Sequence, residues 1–239
     1  MKASLRTGGT AQDPAATESA AALGEGVPAG HEGCGQRCWR DVREAWEPRD
    51  GARFRILFVC TGNICRSPLA ERLTRSALGD CPAIQVASAG TRAWPGLEMD
   101  RRAMRALVRL GGDPEDFGSR RLTSALVADA DLVLTATRGH RAESVAMHLA
   151  AAPRTFTIAE FGVLTEAVRP SKVIRHRDPA RRARALVDEA RALRGVVPVD
   201  ESDIIDPYGG SWLRYRAMGR SIARSLATPL RLLTHSPDA

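Results

Sequence analysis

From residue 53 onward, short apolar runs alternate with longer stretches in which apolar residues recur every three or four positions. The short runs suit buried strands, and the periodic stretches predict amphipathic helices between them. Strands that alternate with helices in this way are typical of an α/β fold with a parallel sheet. The strands are predicted at residues 55–60, 84–88, 132–135 and 154–158.

Capping residues indicate where several of the predicted helices begin and end. Ser67 is a good N-cap and Pro68 suits the first helical position, so the first helix is expected to begin there. Gly195 ends the helix that opens at Asp178, and Pro229 is expected to stop the last helix because proline has no N–H to donate. The helices are predicted at residues 67–78, 100–110, 139–149, 160–168, 178–193 and 211–227.

Residues 1–52 follow a different pattern, since they are rich in Gly, Ala, Pro, Ser and Thr and contain few large apolar residues. Such a segment cannot bury enough surface to fold alone, so we expect a disordered N-terminal extension. Trp39 and Trp46 fit a short amphipathic turn that could dock on the folded part. A folded domain is expected over 53–235, with an extended arginine-rich helical insert at 169–200.

The charge of the chain is strongly positive but its composition weakens any inference from that. The formal net charge is +7, and of 35 basic residues only Lys2 and Lys172 are lysine, which leaves 33 arginines. This bias is typical of genomic base composition, and no interleaving of arginine with aromatic residues or helix-turn-helix pattern predicts nucleic-acid binding. An acidic partner for the arginine-rich insert remains an open interpretation.

The remaining composition bears on location and metals. No run of 18 or more apolar residues predicts a membrane span. Five cysteines, an odd number without framework spacing, favour a reduced cytoplasmic protein. His31, Cys34 and Cys38 are three potential metal ligands without a fourth at a usual spacing, so no metal site is predicted. No cofactor motif is present either.

The stretch from residue 54 to residue 68 carries the chemistry. It combines an apolar strand, a short loop from Cys60 to Arg66, and a helix start. A loop at a helix N-terminus directs several backbone N–H groups inward, which makes a nest for a tetrahedral oxyanion. The same positive end, together with Arg66, favours the thiolate form of Cys60. A thiolate at the floor of an anion cradle is suited to attack phosphorus.

The spacing of Cys60 and Arg66 alone is weak evidence in so arginine-rich a chain. Cys34 and Arg40 have the same spacing, but they lack the preceding apolar strand, the Gly-Asn pair and the Ser-Pro helix start. The structural alternative for Cys60 is a buried cysteine in an ordinary strand-turn-helix. The surrounding pattern favours the catalytic interpretation.

The run Cys60-Thr-Gly-Asn-Ile-Cys-Arg-Ser-Pro68, followed by Leu-Ala-Glu71, resembles the signature of the low-molecular-weight protein tyrosine phosphatases. That family also carries a downstream Asp-Pro-Tyr, which is matched by residues 206–208. Segments 88–91 and 131–141 are similar to family segments in the expected order. The resemblance covers roughly residues 54 to 235.

The resemblance implies a four-stranded parallel sheet in the order 2-1-3-4 with helices on both faces. It also implies hydrolysis of phosphotyrosine in proteins through a cysteinyl phosphate, without metal or cofactor. Cys60 would be the nucleophile, Arg66 would hold two phosphate oxygens, and Asp206 would be the general acid. The residues expected to bind substrate are Thr61, Gly62, Asn63, Ile64, Cys65, Ser67, Trp94 and Tyr208.

Several of these residues have specific expected roles. Asn63 suits a position with positive φ, where its side chain can pin the loop. The Ser67 hydroxyl can donate to the Cys60 thiolate. Trp94 and Tyr208 would form opposite walls of the pocket, although a lone tryptophan is more often a core residue.

The sequence also departs from the family pattern in two places. Gly209 stands where a second aromatic residue is frequent, so one wall of the pocket is expected to be thinner. Phe117 aligns with a histidine that joins a polar network with the loop, so that network is expected to be absent or rebuilt.

Three alternatives remain open. An arsenate reductase of this fold needs a cysteine well downstream of the loop, whereas the last cysteine here is Cys81. Protein-arginine phosphatases favour a smaller polar residue where Ile64 stands. A non-catalytic phosphate-binding module would need neither Cys60 nor Asp206. The sequence leaves open the physiological substrate, the oligomeric state, and whether Cys60 and Cys65 form a redox switch.

Overall fold

A four-stranded parallel sheet lies at the centre of the structure, with its strands in the order β2-β1-β3-β4. The computed structural model describes residue 46 and residues 53–200 and 203–235. Contacts divide the chain into two units, and all of the described residues belong to the second, Gly35–Ala239. The predicted α/β class and strand order are confirmed. The strands are β1 (Phe54–Cys60), β2 (Ile84–Gly90), β3 (Leu132–Thr135) and β4 (Thr155–Thr157).

Helices connect the strands and pack on the sheet. Each predicted helix is present within three residues at both ends, except the last one at its C-terminus. A 3₁₀ helix, Leu149–Arg154, precedes β4. The α-helices are α1 (Arg66–Leu78), α2 (Arg101–Val108), α3 (Ser124–Asp129), α4 (Arg138–Met147), α5 (Ile158–Glu166), α6 (Pro170–Ile174), α7 (Pro179–Leu193) and α8 (Trp212–Thr234).

Every residue of β1 is buried, because the strand lies inside the sheet and both faces are covered. Phe54, Ile56 and Phe58 point to one face and join the larger hydrophobic core with α1, α5, α7 and α8. Leu57 and Val59 point to the other face, where a smaller cluster includes residues of α3. Helices therefore cover both faces, as expected, and the carboxyl end of β1 is left to the loop that follows it.

The first helix begins one residue earlier than predicted, and its predicted cap is wrong. Cys65 occupies the N-cap position without a side-chain hydrogen bond, and the helix starts at Arg66. The Ser67 hydroxyl faces the Cys60 sulfur instead of capping the helix. Ser67, which its local preference assigned to the N-cap, therefore forms part of the loop's contacts instead.

The last helix continues past Pro229 to Thr234, so the prediction that Pro229 stops it is wrong. Pro229 cannot donate to the carbonyl of Ser225, four residues earlier. At that carbonyl the backbone of Gly162 in α5 packs closely: a Cβ on Gly162 would lie 2.6 Å from Ser225 O. Tight packing of α5 on α8 and burial of Pro229 outweigh the loss of one helical hydrogen bond.

The segment 169–200 contains the helices α6 and α7, and apolar residues of both are built into the larger core. Its description as an insert stays a prediction. Val173, Leu186 and Val187 are among its buried residues. Arg182 is buried as well, and its guanidinium donates to backbone carbonyls that include Leu233 O at 2.9 Å. The short helices α3 and α6 were not predicted, because five or six residues are too few to show a period.

The predictions for residues 1–52, including the expected disorder and the interpretation of His31, Cys34 and Cys38, lie outside the described residues except at Trp46. Trp46 is partly buried against the smaller cluster, and the Arg55 guanidinium lies 5.6 Å from its ring centroid. Among the described helices, none combines the length and apolar character needed to cross a membrane.

Candidate active site

The loop from Thr61 to Cys65 joins the carboxyl end of β1 to the first turn of α1. Cys60 is 2% exposed and pairs with Gly90 at the end of β2. Two backbone hydrogen bonds tie the loop to the residues after β2, from Thr91 N to Cys60 O and from Arg92 N to Thr61 O, each at 2.9 Å. The loop is therefore held at the edge of the sheet where α/β folds bind ligands.

The backbone of the loop offers several N–H groups as hydrogen-bond donors. Within the described residues, no acceptor is recorded for the N–H groups of Gly62, Asn63, Ile64 and Cys65. Consecutive backbone N–H groups of this kind form a concave anion site next to the start of a helix. Gly62 and Ile64 are partly exposed, so these donors border solvent.

Gly90 permits this close approach of the loop to β2. A Cβ at this position would lie 2.5 Å from Thr61 O and 2.8 Å from Asn63 N. Both distances are shorter than any Cβ contact can be, so glycine is required here for its missing side chain rather than for its φ angle.

Asn63 pins the loop from within. Its φ of 53° lies in the left-handed region, which asparagine tolerates, and its side chain is fully buried. Its Oδ1 accepts from Arg120 N at 2.8 Å, which fixes the orientation of the amide. Its Nδ2 then donates to Ser67 Oγ at 2.9 Å and to Ser88 Oγ at 2.8 Å.

These contacts determine where the Ser67 hydrogen points. Because Asn63 occupies an acceptor position on Ser67 Oγ, the hydroxyl hydrogen is free for Cys60 Sγ at 3.0 Å, with Ala89 O more distant at 3.4 Å. Donation from Ser67 stabilises a thiolate on Cys60. The side chain of Ser67 thus contacts Cys60 instead of the helix N-terminus.

The polar network beside the loop contains Glu71, whereas the histidine expected from the family pattern is absent because residue 117 is Phe. Glu71 is 1% exposed, its Oε2 accepts from Ser88 Oγ at 2.5 Å, and its Oε1 pairs with Arg75 at 3.1 Å. Phe117 packs beside Arg72 instead, with the guanidinium 5.7 Å from its ring centroid. The expected network is therefore rebuilt around a buried carboxylate.

Arg66 and Asp206 form an ion pair beside the loop. Arg66 Nη2 donates to Asp206 Oδ2 at 2.7 Å, and Arg66 Nη1 lies 3.4 Å from Ile204 O. Arg66 is 4% exposed, whereas the Asp206 side chain is 53% exposed. Ile204 N in turn donates to Ala136 O at 2.8 Å, so the loop that carries Asp206 is anchored at the end of β3.

His140, in the first turn of α4, is a site residue that the sequence interpretation missed. Its Nε2 lies 2.8 Å from Thr61 Oγ1 and its Nδ1 lies 2.7 Å from Thr137 Oγ1. Burial, followed by the nearby Arg66 charge, lowers the pKa of His140, which favours the neutral ring. Thr137 Oγ1 accepts from His140 N at 3.3 Å, so its hydroxyl hydrogen is available for Nδ1 and the ring hydrogen is assigned to Nε2. Nε2 then donates to Thr61 Oγ1, which also accepts from Arg66 Nη2 at 3.3 Å.

A signal for His140 was present in the sequence. It follows β3 by a few residues, and the carboxyl ends of neighbouring parallel strands meet at one edge of the sheet. With both acceptor positions of Thr61 filled, its own hydroxyl hydrogen is left for a bound anion.

Cys65 differs sharply from Cys60 in its surroundings. It is buried, and desolvation, followed by the negative charge of Asp100, raises the pKa of the Cys65 thiol to about 12. Cys60, Cys65 and Cys81 are all free cysteines. Cys65 therefore remains protonated at neutral pH and contributes to the site through its backbone.

The two predicted aromatic walls lie on the surface. Trp94 is 78% exposed on the segment after β2, where its carbonyl accepts from Ser119 Oγ at 2.5 Å. Tyr208 is 70% exposed, and its backbone N–H donates to Asp206 Oδ1 at 3.2 Å. Both rings are accessible, as a substrate wall must be.

Comparisons with known proteins were consistent with this geometry. A family model described as low molecular weight phosphotyrosine protein phosphatase matches residues 55–169. The chain is 37% identical over 105 residues to the probable low molecular weight protein-tyrosine-phosphatase EpsP of Ralstonia nicotianae, covering 44% of this chain and 70% of that protein. It is also 37% identical over 108 residues to the protein-arginine-phosphatase of Geobacillus stearothermophilus, covering 45% and 71%.

The structural comparison extends further along the chain. The arginine phosphatase YwlE from Geobacillus stearothermophilus superposes with a TM-score of 0.55 and 28% identity, over 77% of this chain and 98% of that one. The family match covers the loop from Thr61 to Cys65 but ends before the loop of Asp206, which only the fold brings to Arg66. The chain belongs to the low molecular weight phosphotyrosine protein phosphatase family.

Proposed function

We propose that this protein hydrolyses phosphotyrosine in proteins through a covalent phosphate ester of Cys60. The observation that carries the proposal is the convergence of three side chains at the end of β1. Cys60 lies under a nest of backbone donors, Arg66 lies at its rim, and Asp206 is 2.7 Å from Arg66. This arrangement supplies a nucleophile, an anion clamp and a proton donor at one place.

In the first step the Cys60 thiolate attacks phosphorus and the bond from phosphorus to the phenolic oxygen breaks. The loop N–H groups and Arg66 hold the equatorial oxygens, where charge accumulates. A phosphate dianion competes for the guanidinium, which releases the Asp206 carboxyl toward the departing oxygen. Asp206 in its protonated form then transfers its proton to the phenolate.

In the second step water attacks the phosphorus of the cysteinyl phosphate. The Asp206 carboxylate accepts a proton from the water, and the sulfur–phosphorus bond breaks to release phosphate and the Cys60 thiolate. Ser67, oriented by Asn63, stabilises that thiolate as the leaving group. This sequence of steps needs only the chain's own residues.

The proposed substrates are phosphotyrosine-containing proteins, and the proposed location is the cytoplasm. A reducing compartment keeps a nucleophilic thiol free, as Cys60 must be. The exposed rings of Trp94 and Tyr208 suit an aromatic substrate, because they can contact both faces of a phenyl group.

A second candidate is protein-arginine phosphatase activity, which the name of the Geobacillus relative favours. The same nucleophile and acid would serve for a phosphorus–nitrogen bond. Ile64, partly buried beside the larger core, distinguishes the two candidates because a bulky apolar side chain suits a phenyl ring better than a guanidinium.

The test is hydrolysis of matched phosphotyrosine, phosphoserine and phosphoarginine peptides by the full chain and by Cys60→Ser. We expect preference for phosphotyrosine, no requirement for divalent metal, and loss of turnover in Cys60→Ser with an unchanged fold. Cys81→Ser and Cys34→Ser are the matched controls and should remain active. Activity in Cys60→Ser, or dependence on metal, would contradict the mechanism, whereas preference for phosphoarginine would favour the second candidate.

A further inference from the structure

A concave, strongly basic surface lies between α2 and α8, outside the phosphate loop. Two adjoining cavities of about 680 Å³ and about 460 Å³ share Trp212 and Arg109 in their lining. We call this surface the arginine groove; it is lined around Trp212 by Arg101, Arg102, Arg105, Arg109, Arg216 and Arg220.

The arginines of this groove are not neutralised by the protein. Among the described residues, no carboxylate forms an ion pair with any of the six. Asp100, at the start of α2, accepts from the backbone N–H groups of Arg102 and Ala103, and its single negative charge offsets only a small part of the six positive charges. The groove therefore presents a concentrated positive charge to solvent.

The spacing of these arginines works against helix stability. Arg101 and Arg105 are four residues apart on α2, and Arg109 follows at the same interval as its C-cap residue. Arg216 and Arg220 have this spacing on α8. Like charges at this spacing repel each other on a helix. An anion bound between the two helices would relieve that repulsion.

Arginine is frequent throughout this chain, so the number of arginines is not the argument. Two other cavities on the described surface also contain arginines, and both include carboxylates. One is lined by Asp131 and Asp188, and the other holds the ion pair of Glu160 and Arg194 at 2.8 Å. The arginine groove differs from both because its lining contains no carboxylate.

Trp212 gives the groove an aromatic floor. The indole is partly buried, and the Arg109 guanidinium lies 5.0 Å from its ring centroid. Met104 and the 58% exposed Val108 add apolar surface beside it. Guanidinium groups bind carboxylates and phosphates in two-point contacts, while the apolar floor can contact the stems of peptide side chains.

The groove is connected to the candidate active site by direct contacts. Asp100 N donates to Ile64 O in the phosphate loop at 2.9 Å. Arg102 Nη1 donates to Gly210 O at 2.5 Å, and Arg214 Nη2 donates to Asp206 O at 3.2 Å. The same two helices thus contact the loop from Thr61 to Cys65 (the phosphate loop) and the loop that carries Asp206. The groove that they form therefore lies next to the candidate active site.

We propose that the arginine groove binds an acidic segment of the phosphoprotein substrate, next to the phosphorylated residue. The proposal rests on the proposed phosphatase function and extends it to substrate selection. A second copy of this chain is a poor occupant because it would bring two positive surfaces together. The segment 169–200 is a weaker acidic docking surface, since Lys172, Arg191 and Arg194 already pair with carboxylates.

The test compares two triple variants that remove the same charge. The groove variant is Arg105→Gln, Arg109→Gln and Arg216→Gln. The control variant is Arg169→Gln, Arg177→Gln and Arg181→Gln, which are exposed positions in the segment 169–200. All six residues are on the surface, so neither variant should unfold at a lower temperature than the unchanged protein. The groove variant should be slightly more stable, because it loses like-charge pairs.

Three substrates are compared: a phosphotyrosine peptide with acidic flanks, one with neutral flanks, and phenyl phosphate. All three react at the candidate active site, but only the acidic peptide can also bind the groove. For the groove variant we expect a roughly 10-fold loss of kcat/KM on the acidic peptide, carried by KM, and little change on the other two. The control variant should lose much less. Added salt should weaken the preference for acidic flanks in the unchanged protein. An equal loss in both variants, or a loss with phenyl phosphate, would overturn the proposal.

A binding measurement separates this proposal from the catalytic one. Fluorescence anisotropy of a labelled, unphosphorylated acidic peptide is measured with Cys60→Ser, with and without the groove substitutions. Binding that disappears with the groove substitutions supports the groove even if phosphotyrosine proves not to be the substrate. Absence of binding overturns it, and so does tighter groove-dependent binding of a labelled oligonucleotide, which would assign the surface to nucleic acid.

Discussion

At the residue scale, the ion pair of the buried Arg66 guanidinium and the half-exposed Asp206 carboxylate bears most directly on the proposed chemistry. A buried charge left without its partner is costly, so removal of Asp206 by alanine would disturb Arg66 as well as the proton transfer. Asparagine keeps an oxygen for Arg66 Nη2 and another polar atom near Tyr208. The conservative change therefore isolates the acid function.

We expect Asp206→Asn to slow turnover of phenyl phosphate by roughly 10²- to 10⁴-fold, the usual contribution of a positioned acid. The loss should shrink for 4-nitrophenyl phosphate, whose leaving group departs without a proton. Asp203→Asn removes the same charge three residues earlier, where it pairs with Arg138, and should have little effect. Equal losses across a series of leaving groups would count against Asp206 as the acid.

Oxidation of Cys60, with Cys65 as the neighbouring thiol, is expected to control the activity of the enzyme. Peroxide should oxidise the Cys60 thiolate to a sulfenic acid and inactivate the enzyme, and a thiol reductant should restore it. A disulfide forms when the Cys65 thiolate attacks the sulfenic sulfur of Cys60 and displaces hydroxide, but the pKa of about 12 keeps Cys65 protonated at neutral pH. We therefore predict that a Cys60–Cys65 disulfide forms slowly near neutral pH and faster at about pH 9.

Peptide mapping after mild peroxide at the two pH values tests this expectation. Cys65→Ser should recover activity less completely than the unchanged protein, with Cys81→Ser as the matched control. Phosphate or arsenate in the loop should protect Cys60. A mapping experiment that finds no Cys60–Cys65 linkage at either pH would leave Cys65 as a buried packing residue.

At the element scale, two glycines set how closely neighbouring elements approach. Gly90 lets β2 contact the phosphate loop, and Gly162 lets α5 contact α8 at the Ser225 backbone. In both places a Cβ would meet backbone atoms, which cannot move aside as a flexible side chain can. The two contacts have the same physical cause and different functional consequences.

We expect Gly90→Ala to lower kcat/KM for phenyl phosphate by roughly 10²-fold, because displacement of the loop misplaces Cys60 and the anion donors. Gly162→Ala should instead lower the free energy of unfolding by about 1–3 kcal/mol while the folded enzyme stays active. Gly139→Ala, whose Cβ would lie 3.6 Å from Thr137 Oγ1, is the control and should change neither quantity appreciably. Urea unfolding and steady-state kinetics of the three variants distinguish these outcomes; normal activity in Gly90→Ala would contradict the first.

At the scale of the whole molecule, burial of His140 ties global stability to pH. The pKa of His140 is lowered from its ordinary value of 6.5 by burial and by Arg66, so the unfolded chain gains a proton at a higher pH than the folded chain does. Below about pH 6.5 the unfolded state therefore binds more protons, and acidification favours unfolding. Above that pH the contribution to stability is fully present.

We predict that the free energy of unfolding falls as the pH is lowered from about 7.5 to about 5.5, and that His140→Gln makes this decline shallower. His235→Gln, at an exposed position on the far end of α8, should keep the original slope. Urea unfolding at several pH values provides the measurement. An unchanged slope in His140→Gln would mean that His140 is not the group that couples pH to stability.

The sequence by itself determined those features that depend on neighbours along the chain. The strand, loop and helix around Cys60 follow one another within about fifteen residues, so apolar pattern, turn residues and helix start could be interpreted together. The positive φ of Asn63 and the four-stranded order, through the family resemblance, were available in the same way. Two local features were harder to predict, because tertiary contacts outweigh the local preference. Ser67 contacts Cys60 instead of capping the helix, and Pro229 lies inside α8 instead of ending it.

Tertiary structure decided the features that depend on residues distant in sequence. The contact between Arg66 and Asp206 joins positions 140 residues apart, and the contact between Thr61 and His140 joins positions 79 residues apart. The arginine groove exists because α2 and α8 pack side by side, so neither helix alone shows its unpaired charge. Periodicity and capping describe how a segment folds on itself, whereas burial and charge depend on which segments the sheet brings together.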